Sequence, residues 1–267
     1  MWRRDPGSRC CGDGRVGRVS GFALLLAVAG IGVGWGVMSG APPGAGPGAP
    51  AQDTAALTRL RHEMVRRQIA GRGIRDRAVL RAMRQVPRHE FVPESFVGLA
   101  YMDQPLPIGH GQTISQPYIV AFMAEAAAIK PGNRVLEIGT GSGYGAAVLA
   151  ELAHEVYTIE IVPELADRAR AVLQRLDYAN VHVRTGNGWL GWPEHAPYDA
   201  IVVTAAPDRV PPALETQLAM GGIMVVPVGD AIQTLRVLRK VGVRLEEVAS
   251  LPVRFVPMVG EPPDRTP

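Results

Sequence analysis

The chain has 267 residues, of which 47% are hydrophobic and 20% are charged, so it is long and apolar enough to bury the core of a soluble globular domain. Its formal net charge is +3, but the first 20 residues alone contain five Arg and two Asp. Without them, the 28 basic and 25 acidic residues of the chain become 23 of each, and this balance excludes nucleic-acid binding as the main function.

The first 52 residues are predicted to lie outside the folded body, which leaves a single domain at residues 53–267. Residues 21–38 carry no charge and follow an arginine-rich flank, and a Pro/Gly/Ala-rich stretch leads from there to Asp53. A basic flank, an apolar run and a small-residue region in this order are typical of an export signal. Ala49-Pro50-Ala51 has the small-x-small form of a cleavage site, but it lies far from the apolar run.

Two other interpretations of this segment stay open. A bilayer is spanned by ~20 apolar residues, so residues 21–38 could be an uncleaved membrane anchor, although their five glycines weaken this interpretation. Alternatively, translation starts further along the chain. An export signal or an anchor would place the body outside the cytoplasm.

The body opens with two predicted amphipathic helices. Asp53 or Thr54 can cap a helix whose apolar residues follow helical spacing as far as Gly71, and a second helix runs from about residue 76 to residue 85. Ten arginines lie between Arg59 and Arg88. We interpret them mainly as the solvated face of the two helices, with a surface for an acidic partner as the alternative.

Predicted strands and helices alternate from residue 134 onward. The strands are 134–138, 155–159, 181–184, 199–203 and 222–226, and the intervening helices include one to residue 153, one at 163–176 and one near 213–218. This alternation predicts an α/β fold with a doubly wound, mostly parallel sheet covered on both faces. Two last strands, 234–239 and 248–256, have no helix between them and predict an antiparallel C-terminal edge.

A glycine-rich loop, E-I-G-T-G-S-G-Y-G, follows the first of these strands at residues 137–145. Glycines let a backbone approach a ligand closely, and in doubly wound sheets the ligand lies beyond the carboxyl ends of the strands. A dinucleotide fingerprint fits only loosely, from Gly141 to Ala146. Glu137 favours a cationic or amino-bearing ligand, because a carboxylate repels phosphate. Glu160, at the end of the next strand, could accept hydrogen bonds from ribose hydroxyls of either kind of cofactor.

The loop resembles the cofactor loop of S-adenosylmethionine-dependent methyltransferases, whose cofactor has ribose, adenine and an amino acid end but no phosphate. In these enzymes an acid after the third strand commonly accepts a hydrogen bond from the adenine amino group. Asn187 stands at this position, between Gly186 and Gly188. Its amide oxygen can accept the same bond without a charge, so we expect Asn187→Asp to leave cofactor affinity unchanged or tighter. The alternative is that Asn187 is only a turn residue.

A second glycine-rich segment, G-H-G-Q-T-I-S-Q-P-Y, occupies residues 109–118. By itself it is a bend before a helix, with Ser115 as a candidate helix cap. Its motif G-x-G-Q-T-I-S-Q-P closely resembles the protein-L-isoaspartate O-methyltransferase family. Further resemblance to that family lies in V-P-R-H-E-F-V, the glycine loop, P-Y-D-A-I, V-V-P-V-G and R-F-V-P. The resemblance covers about residues 55–260, and residues 1–52 have no counterpart in it.

The resemblance implies a Rossmann-like methyltransferase fold and methyl transfer from S-adenosyl-L-methionine to the side-chain carboxylate of isoaspartyl residues. Damaged proteins and peptides would be the substrates, and the ester would return through a succinimide partly to aspartate. A free carboxyl group has a pKa of about 4. At neutral pH it is therefore already ionised, acts as the nucleophile and needs no general base. The family assigns the catalytic role to Ser115. By the same resemblance the cofactor is expected at Gln112, Thr113, Ile114, Glu137, Gly139, Gly141, Ser142, Gly143, Glu160, Ile161, Asn187 and Gly188.

Other site classes and functions are weighed against this one. Both cysteines, Cys10 and Cys11, precede the body, and the six histidines lack ligand spacing, so no metal site is expected. The competing functions are methylation of another carboxylate, NAD-dependent oxidoreduction, and cofactor binding without activity. Glu137 disfavours the second, and only Asn187 supports the third. The family is typically cytoplasmic, in contrast to the signal-like segment, and the sequence does not determine the oligomeric state.

Overall fold

The protein is represented by a computed structural model that describes residues 53–262, so the segment predicted at residues 1–52 lies outside the described residues. The helices are α1 Ala55–Glu63, α2 Arg77–Gln85, α3 Pro117–Ala126, α4 Tyr144–Ala150, α5 Pro163–Arg175 and α6 Pro212–Gln217. The strands are β1 Leu106–Gly109, β2 Gln112–Ile114, β3 Arg134–Ile138, β4 Glu155–Glu160, β5 Val181–Thr185, β6 Tyr198–Val203, β7 Leu218–Val228, β8 Gln233–Val241 and β9 Arg244–Val253. None of the helices between residues 53 and 262 is long and apolar enough to cross a bilayer.

The seven long strands form one sheet in the order β5-β4-β3-β6-β7-β8-β9. Strands β3 to β7 pair in parallel, while β8 is antiparallel to both β7 and β9. The doubly wound sheet and its antiparallel edge are therefore confirmed. The chain leaves β3 in one direction, toward β4 and β5, and returns to β6 on the other side. This reversal opens a crevice at the carboxyl ends of β3 and β6, where ligands of such sheets bind.

Each face of the sheet has its own apolar core. Along β3, Val135 packs into the core under α3, α4 and α5, whereas Leu136 packs into the core on the side of α6. Alternate residues of a strand point to opposite faces, and both faces are covered here. This explains why β3 and β6 appear in the sequence as continuous apolar runs and not as alternating ones.

The first predicted helix begins as expected but changes its form before it ends. Thr54 is the N-cap of α1, and its Oγ1 accepts a hydrogen bond from the Leu57 N–H at 3.3 Å. Residues 64–69 continue as a π-helix and residues 70–72 as a 3₁₀ turn. The wider i→i+5 turn brings the buried Met64 and Ile69 onto one face.

The interpretation of the arginines as a solvated face is only partly right. Arg77, Arg81 and Arg84 lie exposed on α2, but Arg61 and Arg88 are buried. Buried guanidinium groups need acceptors, and one nitrogen of each has a main-chain acceptor: Nε of Arg61 donates to the Arg84 carbonyl at 2.6 Å, and Nε of Arg88 donates to the Ala100 carbonyl at 2.8 Å.

Arg88 also connects the segment after α2 to helix α4. Its guanidinium lies over the ring of Tyr144, 4.8 Å from the ring centre. Complete burial lowers the pKa of Arg88 to about 10, and the contact with Tyr144 opposes that shift. Through Arg88, the V-P-R-H-E-F-V motif thus contacts Tyr144, the first residue of α4, which lies at the end of the glycine loop.

Residues 106–114 form a β-hairpin, where the sequence predicted only a bend. Leu106 pairs with Ile114, and both side chains are buried. The turn holds three consecutive residues at positive φ: Gly109 at 91°, His110 at 53° and Gly111 at 69°. The two glycines make this turn possible, because other residues rarely adopt such angles. The hairpin holds the residues that follow it, beginning with Ser115, in a fixed position.

Ser115 is not the cap of α3, so that interpretation is wrong. The N-cap position is Gln116, whose side chain makes no capping bond. Instead Asp103, from the loop before β1, accepts a hydrogen bond from the Tyr118 N–H at 3.0 Å and another from Nε2 of Gln116 at 2.6 Å. Asp103 also pairs with Arg72. A more distant carboxylate therefore satisfies the start of α3, and the Ser115 hydroxyl is left for another role.

We expect Asp103→Ala to lower the free energy of unfolding by about 1 kcal/mol, the usual cost of losing a helix cap. Urea titration would measure the loss, and hydrogen exchange at the Tyr118 amide should accelerate. Asp103→Asn is the matched control, because its amide oxygen still accepts from Tyr118. Unchanged protection of Tyr118 in Asp103→Ala would show that this carboxylate is not the cap.

Candidate functional site

Two adjoining cavities open beyond the carboxyl ends of β3, β4 and β6. The first has a volume of about 560 Å³ and lies between the ends of β3 and β4, the turn after β5 and residues 256–259 near the C-terminus. The second, of about 360 Å³, lies between the hairpin end, the glycine loop and the start of α4. Both are lined by Thr113, Gly139, Gly141 and Thr204. The two cavities thus form one cleft along the glycine loop.

The glycine loop lies flat against the end of β6. Gly139, Gly141 and Gly143 have φ angles of 96°, 54° and 91°, which other residues rarely adopt. Oγ1 of Thr204 donates to the Gly139 carbonyl at 2.7 Å, and a Cβ on Gly139 would collide with that hydroxyl. The loop therefore requires glycine both for its backbone angles and for its contact with β6.

Glu160 fixes the loop to β4 from the other side. Its Oε2 accepts from the Gly141 N–H at 2.7 Å, and its Oε1 accepts from the Val162 N–H at 3.0 Å. The residue is buried but still lines the first cavity. A carboxylate oxygen can accept more than one hydrogen bond, so Glu160 can hold the loop and also accept bonds from ligand hydroxyls.

Glu137 lies at the floor of the second cavity and is 1% exposed. Thr158 donates to its Oε2 at 2.6 Å, and helix α4 approaches so closely that a Cβ on Gly145 would strike its Oε1. Desolvation raises the pKa of Glu137 to about 8, against the opposing hydrogen bond from Thr158 and with a smaller contribution from Glu160. A cationic group in the cavity would favour the ionised form.

The hairpin supplies the opposite wall of the cleft. Gln112 and Thr113 line the first cavity, and Thr113, Ile114 and Ser115 line the second. Ser115 is half-buried, and its hydroxyl makes no hydrogen bond to any residue of the described range. It is therefore available to a ligand that enters the second cavity.

Two of the predicted cofactor residues do not line either cavity. Gly143 caps α4 and packs against Leu173, and Asn187 makes hydrogen bonds elsewhere. Oδ1 of Asn187 accepts from the Trp189 N–H at 3.0 Å, which is the contact expected of a turn residue. The neighbouring Gly188 does line the first cavity, as do Ile161 and Glu160. Ser142 lines the second cavity.

Similarity to known proteins extends over nearly all of this body. The family model of protein-L-isoaspartate(D-aspartate) O-methyltransferases matches residues 59–262. The chain belongs to this family. A protein-L-isoaspartate O-methyltransferase of Picosynechococcus is 59% identical over 201 residues, which are 75% of this chain and 90% of that protein. The corresponding protein of Gloeobacter violaceus is 58% identical over 202 residues, 75% of this chain and 98% of that protein.

A solved structure supports the same family. It is described as a protein-L-isoaspartate O-methyltransferase from Plasmodium falciparum in complex with S-adenosyl-L-homocysteine. It is 27% identical, has a TM-score of 0.66, and covers 74% of this chain and 98% of its own. The similarity in structure thus extends over about three quarters of this chain.

Sequence reasoning missed residues of the cleft that lie on either side of its mouth. Thr204 follows β6, and Met258 and Val259 follow the last strand. The signal for Thr204 was its place directly after the predicted strand 199–203, since ligands of doubly wound sheets bind beyond the carboxyl ends of the strands. The predicted last strand, 248–256, is displaced: β9 ends at Val253 because the Gln233 side chain, and not a strand, pairs with Phe255.

Each cavity is lined by one carboxyl group, Glu160 in the first and Glu137 in the second. Neither lining contains lysine or arginine. This charge pattern suits a cationic cofactor without phosphate, and it does not favour a dinucleotide with its pyrophosphate. Among residues 53–262, no three His, Cys, Asp or Glu side chains lie close enough to hold a metal ion. The polar side chains that line the two cavities are hydroxyls, the amide of Gln112 and the two acids.

The buried Glu137 should make the stability of the ligand-free protein depend on pH. Its folded pKa of about 8 exceeds its ordinary value of 4.5, so the folded chain keeps a proton that the unfolded chain loses. Stability is therefore highest below the unfolded pKa and falls as the pH rises through the folded one. Between about pH 6 and pH 8 we expect a loss of about 2 kcal/mol in urea unfolding. Glu137→Gln should remove this loss; parallel pH profiles of the two proteins would contradict it.

Proposed function

We propose that the chain catalyses methyl transfer from S-adenosyl-L-methionine to the side-chain carboxylate of isoaspartyl residues in proteins and peptides. The observation that carries this proposal is the position of Ser115. Its hydroxyl, which bonds to none of residues 53–262, lines the same cavity as Glu137 and the glycine loop, with no basic side chain and no histidine among the lining residues. This arrangement suits a nucleophile that arrives already ionised.

The cleft fits the cofactor in shape and in charge. Three glycines at positive φ expose the backbone of the loop, and one acid lines each cavity, Glu160 the first and Glu137 the second. We assign the ribose hydroxyls to Glu160 and the ammonium end of the cofactor to the side of Glu137. Gln112, Thr113, Ile161 and Gly188 would line the rest. When bound, S-adenosyl-L-methionine supplies a methyl group made electrophilic by its sulfonium.

The residues around the second cavity orient the substrate carboxylate and do not activate it. Ser115 and Thr113 can each donate one hydrogen bond to a carboxylate oxygen. A lysine or arginine would form an ion pair that weakens the nucleophile. Ile114, Val120 and Tyr144 provide an apolar wall that excludes water. Positioning of this kind can lower a barrier by roughly 7–11 kcal/mol, so no general base is required.

The product ester lies next to a backbone amide nitrogen of the substrate. Attack by that nitrogen releases methanol and closes a succinimide, which water opens partly to normal aspartate. The enzyme would therefore start the repair of aged proteins. Methylation of a different carboxylate uses the same cavity and the same hydroxyls, so a substrate comparison must separate the two functions.

We expect the full-length protein to transfer a labelled methyl group to an isoaspartyl peptide and not to the same peptide with normal aspartate. In normal aspartate a methylene separates the free carboxylate from the main chain. In the isoaspartyl linkage that methylene is part of the main chain, and the free carboxylate is attached directly to it. Scintillation counting of the two peptides measures the difference. Equal labelling of both peptides would contradict the repair function and indicate a general carboxylate methyltransferase.

Ser115→Ala should lower kcat about 10- to 100-fold, the effect of losing one hydrogen bond to a charged group. The dissociation constant of S-adenosyl-L-homocysteine should stay within about twofold. Ser250→Ala, on the exposed strand β9, is the matched control and should keep full turnover. An unchanged kcat in Ser115→Ala would remove this hydroxyl from the reaction.

We also propose that residues 1–52 direct or anchor the chain outside the cytoplasm and that residues 53–267 act as one domain. The support is the sequence of residues 1–52 alone. Cell fractionation with N-terminal sequencing of the isolated protein tests the location. A cytoplasmic protein that begins with an intact Met1 would refute export.

A further inference from the structure

The segment Arg254–Glu261, which we name the C-terminal strap, forms one wall of the first cavity. Its residues Val256, Pro257, Met258 and Val259 all line that cavity. The strap follows β9 but does not belong to the sheet, so hydrogen bonds at separate points must hold it in place. The effect of these hydrogen bonds on ligand release rests on the proposed cofactor site.

The near end of the strap is fixed to the body by main-chain and amide bonds. The Gln233 side chain accepts from the Phe255 N–H at 2.6 Å and donates to the Phe255 carbonyl at 3.1 Å. The Ala206 N–H donates to Val256 at 2.8 Å, and the Met258 N–H donates to the Ala206 carbonyl at 2.7 Å. Four hydrogen bonds therefore hold residues 255–258.

The far end of the strap depends on Asn187. Nδ2 of Asn187 donates to the Glu261 carbonyl at 2.7 Å. The orientation of this amide is determined by its other end, because Oδ1 accepts from the Trp189 N–H at 3.0 Å. The two ends of one side chain thus connect the turn after β5 with the end of the strap.

Gly260 allows the strap to turn onto this amide. Its φ is 101°, and a Cβ at that position would lie 2.7 Å from Oδ1 of Asn187 and 2.9 Å from Cδ1 of Ile161. Ile161 itself lines the first cavity. The strap therefore packs directly on Asn187 and on Ile161, which follows β4, beside the part of the cleft that we assign to the ribose.

We infer that Asn187 is a positioning residue that latches the C-terminal strap over the cleft and so slows the release of the cofactor. An amide is required for this role, because only Nδ2 can donate to the Glu261 carbonyl. An aspartate at this position would keep the acceptor for Trp189 but would place a second acceptor, with a negative charge, against the carbonyl. This reverses the expectation from the sequence that Asn187→Asp preserves or tightens cofactor binding.

Hydrogen exchange of the full-length protein without cofactor tests the latch directly. Asn187→Asp should increase exchange in the peptide that contains residues 258–261 by about tenfold, while the turn at Trp189 keeps its protection. Gly260→Ala should act in the same direction through its backbone strain. Glu261→Ala is the matched control, because the latch uses the main-chain carbonyl and not the side chain. Unchanged exchange in Asn187→Asp would overturn the latch.

The dissociation rate of S-adenosyl-L-homocysteine tests the consequence for the site. We expect release to be about tenfold faster from Asn187→Asp than from the wild type, and unchanged from Glu261→Ala. Slower release, or tighter binding, by Asn187→Asp would restore the adenine-acceptor role and overturn the inference. If the wild type does not bind the compound at all, the proposed function fails, while the exchange experiment still decides whether Asn187 holds the strap.

Discussion

The functional cleft depends on the close contact between the glycine loop and its two neighbouring strands. The Gly139 N–H donates to the Ile159 carbonyl at 2.8 Å, and the loop is held further by Glu160 on one side and Thr204 on the other. Gly139 has no room for a side chain beside Thr204, so the backbone of the loop is exposed to the cleft at this residue. The hairpin, the strap and the two acids are all arranged around the loop.

The electrostatics of the cleft follow from the same contacts. Because the loop passes over the end of β3, it buries Glu137 and raises its pKa, while Glu160 stays at the edge with both oxygens bonded to main-chain amides. Two acids in different surroundings and no basic group give a cavity that suits a cation. In the proposed reaction the substrate supplies the nucleophile, so hydroxyls suffice to orient it.

Segments outside the parallel sheet form part of the wall of both cavities. The hairpin β1–β2 brings Ser115 to the second cavity, and the C-terminal strap closes the first. Neither segment belongs to the seven-stranded sheet that forms the cofactor crevice. Each is held by a side chain from elsewhere in the chain: Asp103 fixes the start of the helix after Ser115, and Asn187 holds the strap.

The sequence by itself determined the sheet, its antiparallel edge, the glycine loop and the family, because these depend on local patterns and on contiguous motifs. Thr54, one of the two residues predicted to cap the first helix, is its N-cap, and the sequence could indicate it because a cap acts within three residues of itself. Most of the predicted cofactor residues also line the cleft, because the carboxyl ends of parallel strands meet at one edge.

Only the tertiary structure decided the remaining points, because they depend on contacts between residues far apart in the chain. Asp103 caps α3 in place of Ser115, Arg61 and Arg88 are buried against distant carbonyls, and Gln233 draws the chain out of the sheet after β9. Asn187 is the clearest case. The resemblance to methyltransferases implied an acceptor for adenine, but its donor is directed at a carbonyl 74 residues away, which no local pattern could indicate.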